Sequence, residues 1–231
     1  KLTYTDREVE LVENVPSESI IGIKVKNPLT GNEVITLPAS FVKGGNGSGI
    51  VMSVPAHAPY DYLAVKDLYD KDLSEYGITE NIRDIDFISL IEVKEFGEFP
   101  AVDAVEQLGV KDQKDPKAEE ATKLVYRREF HGGVLKENTG EYAGIAVSKI
   151  KDVLTRDLLS RGIGEIFYEF SEPVVCRCGT PCVVNMVKGQ WFLNYSNPEW
   201  KDKVYRCIEK MEIIPEEIRV EFNNKVDWLK D

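Results

Sequence analysis

The chain contains only two histidines. One of them, His57, lies between two prolines in "VPAHAPYD" and precedes Asp61 by four residues. A carboxylate held at a turn can pair with a cationic ligand group such as an α-ammonium. A histidine beside it can hydrogen-bond or move a proton near neutral pH. The same residues also have a purely architectural reading. Asp61 would then cap a helix N-terminus, and His57 would be a turn residue with satisfied hydrogen bonds. Residue type and spacing leave both readings open. No Ser-His-Asp arrangement for covalent chemistry is legible.

A second cluster is Cys176, Cys178 and Cys182, spaced C-x-C-x3-C. Structural zinc usually takes four ligands, commonly from C-x2-C knuckles. The fourth would have to be Cys207, whose helical spacing makes it a core residue, or the remote His131. A reduced-thiol turn supporting two strands is the favoured reading, with zinc as its alternative. Arg127 and Arg128 could meet phosphate but are read as a solvated helix face. Of the tryptophans, Trp200 shares a helical stripe with Val204, Cys207, Ile208 and Met211, which predicts core packing.

Three regions must position these residues. Residues 1–56 read as β, with "SIIGIKV", "EVITLP" and "GIVMSVP" separated by the turn formers "NPLTGN" and "GGNGSG". Such spacing suggests a small barrel or sandwich. From Asp61 the period becomes helical. Leu63, Leu68, Tyr69, Leu73 and Tyr76 predict a helix ending at Gly77. "FISLIEV" (87–93) predicts a strand. "DPKAEEATKLVYRREFHGG" predicts a helix with Asp115 as N-cap, Pro116 at N1 and His131 near its C-terminal dipole. "SKIKDVLTRDLLSRG" predicts another, with Ile150, Val153, Leu154 and Leu158 on one face. After residue 165, "EPVVCRCGTPCVVNMV" reads as two strands around a Cys/Gly turn. Two helices follow: one capped by Asn197, with Pro198 at N1, and one opened by Pro215 with Ile218, Phe222, Val226 and Leu229 on one face. The last runs into "VDWLKD" without a stop signal, so the sequence reads as part of a longer chain.

The bulk numbers exclude several classes. With 231 residues, 42% hydrophobic and 30% charged, the chain is an ordinary globular one. No apolar run approaches the roughly 18 residues of a membrane span, so no membrane partner is expected. Four cysteines in this length suggest a reducing compartment rather than a disulfide framework. Of the net charge of −11, residues 61–120 carry −10, from 17 acids and 7 bases. That block is a poor surface for wrapping a phosphate backbone. The near-neutral remainder could still hold one end of a nucleic acid in a pocket.

The order of residues in "GSGIVMSVPAHAPYD" resembles the signature of the editing domain of leucyl-tRNA synthetases of the archaeal and eukaryotic cytosolic type. "CRCG" and "GQWFLNYSNPEW" (189–200) are similar to the return of that chain into the class I catalytic core. The resemblance covers essentially the whole chain. It implies an α+β fold: a small β-barrel editing domain over 1–165, with a helical insertion at 61–162, then a class I core segment over 166–231. It implies hydrolysis of tRNA(Leu) mischarged with isoleucine, valine, methionine or norvaline, in a cytoplasmic enzyme. Small apolar side chains differ by only about 1–3 kcal/mol in binding, so a second, hydrolytic sieve is needed. The resemblance gives Asp61 the substrate ammonium and His57 the pocket edge. Met52 and Val54, with Gly49 and Ser53 on the same stretch, line the amino-acid pocket. Tyr60 contacts substrate or the terminal adenosine. Water positioned by the site, rather than a covalent nucleophile, performs the hydrolysis.

Two departures from the family pattern bear on activity. The threonine-rich strand, which positions water and excludes leucine, is not in this sequence. Neither are the "HIGH"-like and "KMSKS"-like elements of the catalytic core. ATP and magnesium therefore belong to the parent enzyme, outside this chain, and editing itself needs no cofactor. The expected partners are the tRNA(Leu) 3′ end, mischarged amino acids and the rest of the synthetase. The alternative function is a non-catalytic structural or tRNA-end-binding module. Valyl or isoleucyl editing is the nearest enzymatic alternative, and a zinc-ribbon interaction protein is a third reading.

Overall fold

The computed structural model describes residues 10–170, 172–185 and 188–230. These residues divide into two compact units, one over 10–184 and one over 185–230.

The first unit begins with a short antiparallel hairpin, β1 (Lys24–Lys26) and β2 (Glu33–Ile35), with Val25 opposite Val34. "NPLTGN" closes it, and Gly31 takes the left-handed conformation that tight hairpins need (φ +76°). The third expected strand, "GIVMSVP", is not laddered to any described residue. Ile50, Val51 and Met52 are more than half exposed. Three short strand signals therefore yield one hairpin and one unpaired extended segment.

Helix α1 (Pro59–Lys66) follows, with Ala58 as N-cap and Pro59 at N1. The helix expected through Tyr76 stops ten residues early. Asp72 Oδ1 accepts the Ser74 N–H at 2.9 Å, an Asx turn that competes with continued helix. Only a single 3-10 turn (Ser74–Tyr76) remains before Gly77. The expected strand at 87–93 shrinks to β3 (Ile91–Glu92), which pairs with β4 (Val134–Leu135).

Between these strands lies a helix the sequence reading did not single out, α2 (Pro100–Leu108), which has Pro100 at N1 and Gly109 in the left-handed conformation just past its end. Helix α3 (Lys117–Gly132) begins where Asp115 Oδ1 accepts the Lys117 N–H at 3.0 Å. Helix α4 (Val147–Ser160) half-buries Ile150, Leu154 and Leu158 and leaves Val153 exposed. The Cys/Gly turn forms, with Cys182 N–H bonded to Val174 O and Cys176 N–H to Thr180 O, but the two strands expected around it reduce to a single bridge between Val175 and Pro181 among the described residues.

The core of this unit sits among α1, α2 and α3. Leu63, Val105 and Val125 are fully buried against Ala101, Ala104, Ala118 and Ala121. The alanines let the helix backbones approach closely. Each large aliphatic side chain contributes about 1.5–3 kcal/mol by leaving water. A second cluster, Val65, Leu68, Leu73, Ile78 and Ile82, packs beneath Ile35 and Leu37.

The second unit is a helix pair, α5 (Pro198–Lys210) and α6 (Ile218–Trp228). The α5 N-terminus is as expected: Asn197 Oδ1 accepts the N–H groups of Glu199 and Trp200, at 2.8 and 3.2 Å. Ile208 and Val226 are buried, and Trp200 is half-buried against Tyr195. Cys207, expected in this core, is exposed instead, because α5 turns Ile208 inward. No helix among the described residues is long and apolar enough to cross a membrane.

Candidate functional site

The turn 54–58 is the centre of the site. Val54 O accepts the N–H groups of both His57 and Ala58, each at 2.9 Å. Ala56 O accepts the Ala101 N–H from α2 at 3.0 Å. Pro55 and Pro59 bracket this turn and fix the exit into α1, whose first turn contains Asp61.

Asp61 is buried, and its Oδ2 accepts the Val54 N–H at 2.6 Å. It does not bond its own helix's first N–H groups. It reaches back to the end of the extended segment instead. Among the described residues no cation pairs with it. Burial pushes the Asp61 carboxyl above its ordinary range, while the Val54 N–H pulls it the other way. A buried carboxylate with one backbone donor retains unused acceptor capacity.

His57 is also buried. Its Nε2 accepts the Leu90 N–H at 2.8 Å, with Ile91 N farther off at 3.4 Å. A ring nitrogen that accepts an N–H carries no proton, so the proton lies on Nδ1. Nδ1 therefore donates to Glu129 Oε1, 2.6 Å away. Both nitrogens are committed inside the protein. The buried ring ties the turn to β3 and α3.

The remaining expected positions separate by environment. Met52 and Ser53 are exposed on the extended segment, and Met52 Sδ lies 4.0 Å from Asn27 Nδ2. Val54 is exposed at its side chain and anchored at its backbone. Gly49 closes the "GGNGSG" turn at φ +76°, with the Gly44 backbone 3.2 Å from where a Cβ would stand. That requirement is conformational. Tyr60 is half-buried, its ring 5.4 Å from that of Phe41. Asp61 and His57 thus share one hydrogen-bonded turn, and Gly49, Met52 and Ser53 lie on the open extended segment leading into it.

Two residues near the turn were not foreseen. Glu129 is the buried partner of His57. It continues the apolar stripe Ala118, Ala121, Val125 of α3. A charged residue at a core position of a helical stripe was the signal available for it. Tyr126, about half exposed, lies on the same part of α3; burial, followed by the carboxylates of Asp61 and Glu129, pushes its phenol up. Arg128 pairs with Glu95 at 3.4 Å, with both side chains about half exposed. Arg127 and His131 line a shallow groove beside them.

At the thiol turn, Cys178 Sγ lies 3.2 Å from Thr180 Oγ1. Hydrogen bonds from Thr180 and then Cys176 lower the Cys178 thiol to about 7. Among the described residues, no group of three or more His, Cys, Asp or Glu side chains is arranged to hold a metal ion.

No family model matches the chain. Its whole length is 82% identical to part of a leucine–tRNA ligase of Methanococcoides burtonii and 78% identical to part of one from Methanosarcina acetivorans. For that of Methanocaldococcus jannaschii the identity is 52%. In each case the chain spans 24% of the relative's length. Among solved structures, it is similar to GlLeuRS-CP1, with a TM-score of 0.62 and 23% identity, over 72% of this chain and 65% of that one. It is also similar to the editing domain of the P. falciparum cytosolic leucyl-tRNA synthetase, with a TM-score of 0.61 and 19% identity, over 67% of this chain and 50% of that one. At these identities the structural likeness establishes the fold alone. Sequence and fold converge: the chain belongs to the leucine–tRNA ligase family, as a segment of about a quarter of its members' length that carries the fold of their editing domains.

Proposed function

We propose that this segment hydrolyses the ester between a wrong amino acid and the 3′-terminal adenosine of tRNA(Leu), as the editing part of a cytoplasmic leucine–tRNA ligase. The observation that carries this reading is Asp61: a buried carboxylate, held by the Val54 N–H, with no cation paired to it among the described residues. The substrate's α-ammonium is the cation of the right size and charge. Its arrival favours the ionised carboxylate that burial disfavours. The exposed extended segment 50–54 forms one wall of the amino-acid pocket, within a small β-barrel completed in the full-length enzyme. Met52, Ser53 and Gly49 lie along that wall, and Tyr60 faces the adenosine. Discrimination among isoleucine, valine, methionine and norvaline is then a matter of fit against the wall.

The residues described supply no covalent nucleophile for this reaction. Asp61 fixes the ammonium, and through it the ester carbonyl, so that water attacks one oriented carbon. The carbonyl carbon gains the water oxygen and loses the ribose oxygen, which leaves protonated as the terminal hydroxyl. The parent's leucylation uses ATP and magnesium at a separate site, and the class I core segment joins this domain to it.

Binding tests the assignment. Asp61→Ala should weaken binding of a non-hydrolysable aminoacyl-adenosine analogue far more than binding of adenosine. Equal losses for both ligands would remove Asp61 from the ammonium role. A second reading is supported by the openness of 50–54: the 231-residue piece by itself is a tRNA-end-binding module that does not hydrolyse.

A further inference from the structure

We infer that Glu129 is a positioning residue for editing, acting through His57 on the geometry of Asp61. The inference rests on the editing reading above. It starts from burial: the side chains of His57 and Glu129 are each only 6% exposed. A carboxylate taken this far out of water is costly unless paired and hydrogen-bonded. A well-packed apolar residue would serve the α3 stripe Ala118, Ala121, Val125 at lower cost. The carboxylate therefore has a geometric task, and the distances identify it.

Glu129 Oε1 takes the Nδ1 proton of His57 at 2.6 Å. That contact and the Leu90 N–H at 2.8 Å fix the imidazole plane and its tautomer together. The fixed ring holds the backbone of the turn, whose N–H groups at 57 and 58 converge on Val54 O. Val54 in turn presents its own N–H to Asp61 Oδ2 at 2.6 Å. Hydrogen bonds joined through the covalent frame of His57 and Val54 thus connect α3 to the carboxylate that receives the ammonium. Glu129 itself is anchored from behind, because its carbonyl accepts the Gly133 N–H at 2.8 Å where α3 meets β4. Without the Glu129 oxygen, Nδ1–H is buried without an acceptor. The ring then turns or admits water, and the 54–58 turn loses its register against Asp61. Displacements of about 1 Å at such a site can cost on the order of 100-fold in rate.

The experiment uses the full-length synthetase and two activities measured side by side. These are single-turnover deacylation of Ile-tRNA(Leu) and leucylation of tRNA(Leu), which takes place elsewhere in the enzyme. Glu129→Ala should slow deacylation about 10- to 100-fold and leave leucylation unchanged. Glu129→Gln keeps an acceptor oxygen for Nδ1–H and should restore most of the rate. His57→Ala should reproduce the loss, and His57→Ala/Glu129→Ala should be no slower than His57→Ala alone. Wild-type deacylation in Glu129→Ala, or losses that multiply in the double variant, would overturn the inference. So would deacylation and leucylation falling together in both Glu129→Ala and the volume-filling Glu129→Met, which would make the residue merely structural. Asp61→Ala is measured in the same series. If it deacylates normally, the editing reading itself fails; if it is inactive while Glu129→Ala is not, only the positioning role fails.

Discussion

At the scale of single residues, the architectural and functional readings of Asp61 make opposite predictions about stability. Burial raises its carboxyl in the folded state. The folded protein therefore bears no penalty in acid, where the group is neutral in both states. It bears the full penalty once pH exceeds the folded value, where a buried charge must be kept. Asp61→Asn keeps an oxygen for the Val54 N–H and removes the charge. It should raise the melting temperature near pH 7, and the gain should shrink as pH falls toward the ordinary carboxylate range. A lower melting temperature at pH 7 would mean that the charge stabilises the helix start, as a first-turn acid does. His57 and Asp61 were legible because proline-bracketed turns restrict the backbone over a short span. Glu129 was not, because its contact with His57 spans 72 residues. Its place on the Ala118–Ala121–Val125 stripe was visible, but a glutamate among "KAEEATKLVYRREF" reads as one more solvated charge.

At the scale of elements, α3 must end at one place for Glu129 to reach His57, and Gly133 sets that place. A Cβ there would stand 2.4 Å from Glu129 O and 2.8 Å from Ile91 Cγ2. Gly133→Ala should cost about 1–3 kcal/mol in unfolding free energy, whereas at Gly132 the Cβ would meet only Val93 Cγ2 at 3.8 Å. Gly132→Ala should therefore be neutral or slightly stabilising, as alanine for glycine in a helix is. Denaturant unfolding of the two variants checks the pair, and equal effects would refute the close-approach argument. The helices were legible in proportion to their local signals. Asn197-Pro198 and Asp115-Pro116 start α5 and α3 almost where expected. Of the strands, the hairpin around "NPLTGN" was legible because its partners are close in sequence, whereas 87–93 kept only Ile91–Glu92, since a ladder depends on a partner far away in sequence. "GIVMSVP" has the composition of a strand and no ladder among the described residues. The expected helix through Tyr76 failed for a local reason, the Asp72 turn, which the sequence contains but apolar spacing conceals.

At the scale of the whole molecule, the core and the site occupy different ground. The main buried cluster belongs to α1, α2 and α3, largely within the stretch 61–120 that carries most of the negative charge. That stretch is a scaffold behind the 54–58 turn, and its charge keeps phosphate away from its outer face. The apolar extended segment 50–54 remains open, and Trp191, Phe192 and Leu193 of the second unit are largely exposed. Exposed apolar surface of this kind commonly marks an interaction face, and the chain spans 24% of its relatives' length. The 231-residue chain alone should accordingly deacylate Ile-tRNA(Leu) at least about 100-fold more slowly than the full-length enzyme. Equal rates would place the whole active centre within this chain.

The central claim is that Asp61 holds the ammonium of a mischarged amino acid for hydrolysis. Its most direct test is deacylation of Ile-tRNA(Leu) by full-length enzyme carrying Asp61→Ala, with leucylation measured on the same preparation. Removing one member of a buried charge pair costs about 2–5 kcal/mol. Asp61→Ala should therefore lose deacylation on the order of 100-fold or more, with leucylation intact and Ile-tRNA(Leu) accumulating. Deacylation at the wild-type rate would contradict it and leave the 54–61 turn as architecture alone.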